Sequence, residues 1–177
     1  MSEPSPRVAE IVAAARSILE TEGREGLTMR ALASRLGIQA PSLYKHVADK
    51  DELEALLVAD AFRELGAALH DAIDALGPRR PARRRALQSL AGAYRAWALA
   101  HPGPYRLATE GELARDRMPD GLEAWTAAPL VAAAGSADRA RAVWAFAHGM
   151  TILEIDGRFP GGADLDAAWS EGIAAFA

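Results

Sequence analysis

Residues Leu27–Lys50 read LTMRALASRLGIQAPSLYKHVADK. Thr28 offers an oxygen to cap a helix running to about Leu36, and Gly37-Ile38 makes a turn after it. Pro41 has no N–H to donate, so it fits only the first turn of the helix that follows. That second helix carries Pro41, Ser42, Tyr44, Lys45 and His46 on a very short stem. A helix so short has little core of its own, and its polar and aromatic side chains are expected to be displayed to a partner. The arrangement matches a helix-turn-helix whose second helix enters a DNA major groove.

Charge supports this once it is resolved along the chain. The net charge is −4, the wrong sign for a uniform DNA binder. From Leu27 to Lys50, however, four basic residues (Arg30, Arg35, Lys45, Lys50) face one acid (Asp49), giving +3. From Asp51 to Leu76, seven acids face Arg63 alone, giving −6. Exposed charges are screened beyond roughly 8 Å at physiological salt, so a positive head on an acidic body can still attract phosphates. The chain's two lysines, Lys45 and Lys50, both fall in the reading segment.

Working outward, the whole chain reads as all-α. Ser5-Pro6 starts a first helix in which Val8, Ile11, Val12, Ala15 and Leu19 repeat at helical spacing, and Gly23 is expected to end it. Asp49 with Glu52 forms an Asp-type variant of the capping box and opens a long helix to about Leu76. Gly77-Pro78 and RRPARRR then read as a linker. The predicted organisation is a three-helix helix-turn-helix head over 1–50 and a helical second domain over 51–177, connected by the helix 51–76. Within the second domain, helices are expected over 82–100, in a short turn after His101–Pro104, over 119–135 with a kink or break at Pro129, over 137–155, and from Asp164 onward. Cysteine is absent, which excludes disulfides, thiolate metal sites and Cys nucleophiles. No apolar run approaches the roughly 20 residues of a membrane span. The opening MSEPSPR lacks the layout of a signal peptide, so the expected compartment is the cytoplasm.

The stretch Arg7 to Leu57 resembles the DNA-binding head of the TetR family of bacterial transcriptional repressors: a first helix, then LTMRALASRLGI, APSLYKHV and DKDEL. The wording is especially similar to the family's tetracycline-repressor branch, including His46 where most relatives carry Phe. Later, Trp144, His148 and Gly149, followed by Gly157-Arg158-Phe159, are similar to one subgroup of the family's ligand-binding domains. The resemblance implies a DNA-binding set of Thr28, Arg30, Ala40, Pro41, Ser42, Tyr44, Lys45, His46 and Lys50. Arg30, Pro41 and Ser42 stand where family members touch bases, and Tyr44 and Lys50 where they hold phosphates. Arginine is the usual bidentate reader of guanine, and hydroxyls and lysine suit phosphate oxygens. Ala40 replaces a base-reading glutamine of the tetracycline-repressor branch and suits a thymine methyl. His46 suits either DNA contact or packing between helices. The Arg79–Arg85 run reads as a solvated linker rather than a DNA grip, since it follows a helix of about 26 residues, roughly 40 Å long.

The partners implied are double-stranded DNA with a palindromic operator, a second copy of the chain, and a small-molecule effector. A symmetric dimer sets two reading helices about one DNA turn (~34 Å) apart. The last two helices are the expected dimer elements. They carry the stripes Ala140, Val143, Trp144, Ala147, Thr151 and Leu165, Trp169, Ile173, Phe176, with Gly149 permitting close approach; the competing reading is intramolecular core. Tyr94, Trp97, His101, Tyr105, Trp125 and His148 are the candidate ligand-binding residues, suited to a small, mostly apolar molecule. Each is open to the plainer reading of a core residue. No metal or cofactor is expected: the four histidines lack ligand spacing, and no HExxH, GxSxG or P-loop pattern occurs. The expectation is therefore a ligand-responsive regulator, a repressor rather than an enzyme. The alternative is a helical interaction module without sequence-specific DNA binding.

Overall fold

The computed structural model describes residues 5–177. Among them it is helical outside turns and loops: α1 Pro6–Gly26, α2 Met29–Arg35, α3 Ala40–Leu43, α4 Lys50–Asp74, α5 Arg83–Ala100, α6 Pro102–Thr109, α7 Leu122–Ala134, α8 Ala137–Ile155 and α9 Leu165–Ala174. One 3-10 turn, Arg115–Arg117, lies between α6 and α7. The expected caps are in place. Ser5 Oγ accepts from the Val8 amide at 3.4 Å, Thr28 Oγ1 from Ala31 at 3.1 Å and Ser136 Oγ from Arg139 at 3.2 Å. Asp49 Oδ1 accepts from the Glu52 amide at 2.7 Å, while Glu52 Oε2 reaches back to the Ala48 amide at 2.6 Å, one residue beyond the usual capping-box partner. At Gly23 the backbone turns through φ 70°, and one more turn then reaches Gly26.

The chain forms two compact units. One comprises the described residues up to Arg63 together with His101–Glu123; the other comprises Glu64–Ala100 and Ala124–Ala177. In the first, α1, α2, α3, the start of α4 and α6 share one core. Ile11, Ile18, Leu27, Leu32, Leu43, Val47, Leu53 and Leu57 are all but inaccessible, and Leu107 of α6 joins them. Close approach of α6 to α1 depends on Gly103, where a Cβ would stand 2.8 Å from the Leu19 carbonyl oxygen. In the second unit α5 packs on α8 and α9, burying Leu87, Leu90, Tyr94, Trp97, Val143, Ala147, Trp169 and Ile173.

Two expectations change. The third helix is a single turn, so Tyr44, Lys45 and His46 lie in the turn after α3 rather than on it. Of the kink or break expected at Pro129, the break does not occur: α7 runs continuously past it. Proline withholds the amide that would bond the Trp125 carbonyl four residues back. His70 Nε2 of α4 lies 3.1 Å from that carbonyl oxygen and supplies the missing donor.

Candidate nucleic-acid interface

The turn between α2 and α3 follows from its glycine. Gly37 takes φ 65°. This places its amide 3.1 Å from the Ser34 carbonyl and the Ile38 amide 3.0 Å from the Ala33 carbonyl, the paired bonds of a Schellman ending. A single-turn helix has almost no intrinsic stability. Leu43 and Val47, both fully buried, therefore fix α3 to the core, and the residues between and around them face outward.

Pro41, Tyr44, Lys45 and His46 are exposed, and Ala40 and Ser42 half-buried. Tyr44 keeps 49% of its surface. Arg30 on α2 is also exposed. Thr28 is exposed too, but its hydroxyl is already engaged as the α2 cap. The cations divide into free and engaged. Among the described residues Arg30 and Lys45 have no polar side-chain partner. Arg35, in contrast, donates to Ser17 Oγ at 2.9 Å and to Glu22 at 3.2 Å. Lys50 Nζ stands 3.6 Å from Glu54. Glu54 is itself held by Arg24 through Nη2 at 2.7 Å and Nε at 3.3 Å. That hydrogen bond raises the Arg24 guanidinium above its ordinary pKa and divides the Glu54 charge between two cations. Glu54 and Arg24 were not singled out from sequence, although Lys50 and Glu54 at i,i+4 carry the signal.

The expected ligand-binding residues fall in both units. Tyr105 is wholly buried in the first, and His101 N-caps α6 there with Nδ1 3.5 Å from Glu20. Tyr94, Trp97, Trp125 and His148 belong to the second. Trp97 donates Nε1–H to Glu64 at 3.2 Å. Trp125 stacks on His70, ring centroids 4.8 Å apart and 18° from parallel. His148 lies 5.9 Å from the Trp144 ring. Clefts of about 330 and 400 Å³ are lined by other residues, around Arg24, Glu54 and Met118 in one unit and around Arg79, Arg80 and Arg85 in the other. Sequence reasoning passed over Glu64 and His70, since isolated polar residues on a long acidic helix give no pattern.

The α8 and α9 stripes turn inward. Ala140, Val143, Ala147, Thr151, Trp169 and Ile173 are buried within the protomer. Arg95 ties the three helices together. It holds Glu154 through Nη2 at 2.7 Å and Nε at 2.9 Å and Asp166 through Nη1 at 2.5 Å, and Trp169 Nε1 adds a bond to Glu154 at 3.3 Å. The Glu154 bond raises the Arg95 guanidinium's pKa. Trp144 and Leu153 stay 48% and 42% exposed. Between them on the outer face run Ala142, Ala145, Gly149 and Ile152, so α8 carries apolar residues on its outer as well as its inner side, beside the exposed Asp138–Arg141 pair of its first turns. Among the described residues no helix is long and apolar enough to cross a membrane.

Residues 11–55 match the family described as bacterial regulatory proteins, tetR family, and residues 87–176 match the tetracyclin repressor-like C-terminal domain. The chain is 36% identical over 157 residues to an HTH-type transcriptional regulator of Mycobacterium tuberculosis, covering 83% of this chain and 69% of that protein. A regulatory protein of known crystal structure superposes with a TM-score of 0.78 at 27% identity, covering 98% of this chain and 96% of that one. A TetR variant from Acinetobacter baumannii AYE, solved in complex with minocycline, superposes with a TM-score of 0.66 at 25% identity, covering 95% and 92%.

Proposed function

We propose, from the premise that this chain belongs to the TetR family of bacterial transcriptional regulators, that it is a repressor binding a palindromic operator as a homodimer and released by a small, mostly apolar effector. The observation that carries the reading is the sorting of the 27–50 segment. Its apolar residues are spent on the core, while Pro41, Tyr44, Lys45 and His46 are exposed on one short segment and Arg30 is exposed on α2. Arg30, Pro41, Ser42 and Ala40 address base edges, and Tyr44, Lys45 and Lys50 hold phosphates. Thr28 acts by fixing the start of α2, and His46 lies beside the phosphate-binding residues. Residues 1–50 form the reading head and 51–177 the sensing and dimerising domain, with α4 shared between them.

The dimer forms through the outer face of α8 with α9. An exposed apolar strip opposite a buried face calls for cover, and a second copy supplies it for Trp144, Leu153 and the small residues between them. Gly149 needs its small size for nothing inside the protomer, since a Cβ there would meet no atom within 4 Å. The effector binds in the second unit beside Tyr94, Trp97, Trp125 and His148, and shifts the population toward a dimer whose heads no longer match the operator spacing. The complex on DNA from upstream of the protein's own gene is predicted to hold two protomers per site by sedimentation. Trp144→Arg is predicted to give folded monomers that bind this DNA at least tenfold more weakly. A Trp144→Arg chain that stays dimeric would remove α8 from the interface, and one protomer per site would remove the palindrome.

A further inference from the structure

The loop joining α4 to α5 and the first turn of α5 read GPRRPARRR over Gly77–Arg85, five arginines and no acid. All five are exposed, and among the described residues none has a hydrogen-bond or ion-pair partner. Elsewhere in this acidic chain Arg24, Arg35, Arg95 and Arg115 each hold a carboxylate. Arg83, Arg84 and Arg85 open α5, which has no acid in its first turn. They therefore stand against the positive end of the helix dipole, where cations are disfavoured. Like charges so close together, at the wrong helix end, raise the free energy of the unliganded loop, and an anion would relieve both effects.

The arginines are also shaped into a site. A cleft of about 400 Å³ has walls of Leu76, Pro78 and Pro81 and carries Arg79, Arg80 and Arg85. Small-molecule sites begin at about 300 Å³. No carboxylate lines this one. Guanidinium forks match phosphate oxygens two at a time, and the two prolines stiffen the backbone that bears them, so less freedom is lost on binding. We propose that this cleft binds a compact polyphosphate anion, such as the di- or triphosphate group of a nucleotide, at a site separate from both the reading head and the aromatic region of the second unit. Three arginines around one small open cleft suit a compact anion. A duplex, with phosphates spread over a wide convex surface, does not enter it.

The test is calorimetric titration of the full chain with inorganic tripolyphosphate, pyrophosphate and orthophosphate at constant ionic strength. Tripolyphosphate is expected to bind once per protomer, at least tenfold more tightly than orthophosphate. Arg79→Gln/Arg80→Gln/Arg85→Gln is expected to lose at least tenfold in that affinity, with Arg80→Gln alone intermediate. These side chains make no bonds within the fold, and an unchanged urea midpoint will confirm it. Lys45→Gln/Lys50→Gln is expected to bind tripolyphosphate like the wild type. Undiminished binding by the triple variant overturns the proposal. So does loss in the lysine variant instead, which would place the anion on the reading head. Equal affinity for the three anions, or several anions per protomer, would mean diffuse charge attraction and no site. Duplex DNA binding that falls in the triple variant while tripolyphosphate fails to bind would assign the arginines to nucleic acid.

Discussion

His70 and Pro129 should be energetically coupled although they lie on different helices. Pro129 leaves the Trp125 carbonyl without its helical donor, and His70 Nε2 stands 3.1 Å from that oxygen with its ring stacked on the Trp125 indole. His70→Leu keeps the apolar bulk and removes the donor. An unsatisfied carbonyl costs about 1–3 kcal/mol when buried, and loss of the ring pair about 0.5–1.5 kcal/mol. The oxygen is only partly buried, so the total is set near the lower end, about 2 kcal/mol. In a Pro129→Ala background the restored amide bonds the Trp125 carbonyl directly, and His70→Leu should then cost about 1 kcal/mol, the stacking share. The predicted coupling is therefore about 1 kcal/mol, above the usual 0.3–0.5 kcal/mol scatter of additivity. All four tryptophans lie in the second unit, so urea unfolding followed by indole fluorescence, at fixed protomer concentration, reports on the right part of the molecule. Equal costs of His70→Leu in the two backgrounds would refute the assignment of His70 as the replacement donor.

Other perturbations follow from the packing. Arg95→Met should destabilise the second unit by about 2–3 kcal/mol, below the 3–5 kcal/mol of a fully buried pair because both partners keep some exposure; Arg95→Met/Glu154→Leu should recover most of it, and a double variant costing the sum of the singles would contradict this reading. Gly103→Ala should lower stability by about 1–3 kcal/mol, because the backbone carbonyl of Leu19 cannot move aside as a side chain would; an unchanged melting temperature would show that α6 has room to shift. Leu43→Ala should cost about 3 kcal/mol and release α3. It should abolish operator binding while leaving the indole fluorescence of the second unit intact, and retained DNA affinity would mean that α3 is held by something other than this side chain.

The elements were legible where local chemistry sets them. Thr28, Ser136 and Asp49 announced their helices because a cap is a contact between near neighbours, and the Gly37 turn was readable because few other residues accept its backbone. The length of α3 was not, since nothing in APSLYKHV marks where one turn stops. That Pro129 does not interrupt its helix has a tertiary side: a donor to the freed Trp125 carbonyl comes from α4, 55 residues away along the chain. The α8 stripe shows the limit of periodicity. Apolar residues on more than one side leave no single inner face to read in the sequence, so only the packing against α5 and α9 shows that Val143 and Ala147 point in while Trp144 and Leu153 stay exposed. The resemblance could assign roles to the head residues because they lie in one contiguous segment. The candidate effector residues are scattered from Tyr94 to His148, and no local pattern distinguishes a ligand wall from a core.

The segment from Pro41 to Lys50 is proposed to hold DNA. Fluorescence anisotropy with duplex from upstream of the protein's own gene, measured across salt for the wild type, Lys45→Gln and Lys45→Gln/Lys50→Gln, tests it most directly. Preference over scrambled duplex of equal length is expected, with a log–log salt dependence that becomes shallower by about one unit for each lysine removed per bound protomer. A salt slope unchanged by loss of both lysines, in a protein that still binds, would place the DNA elsewhere on the molecule.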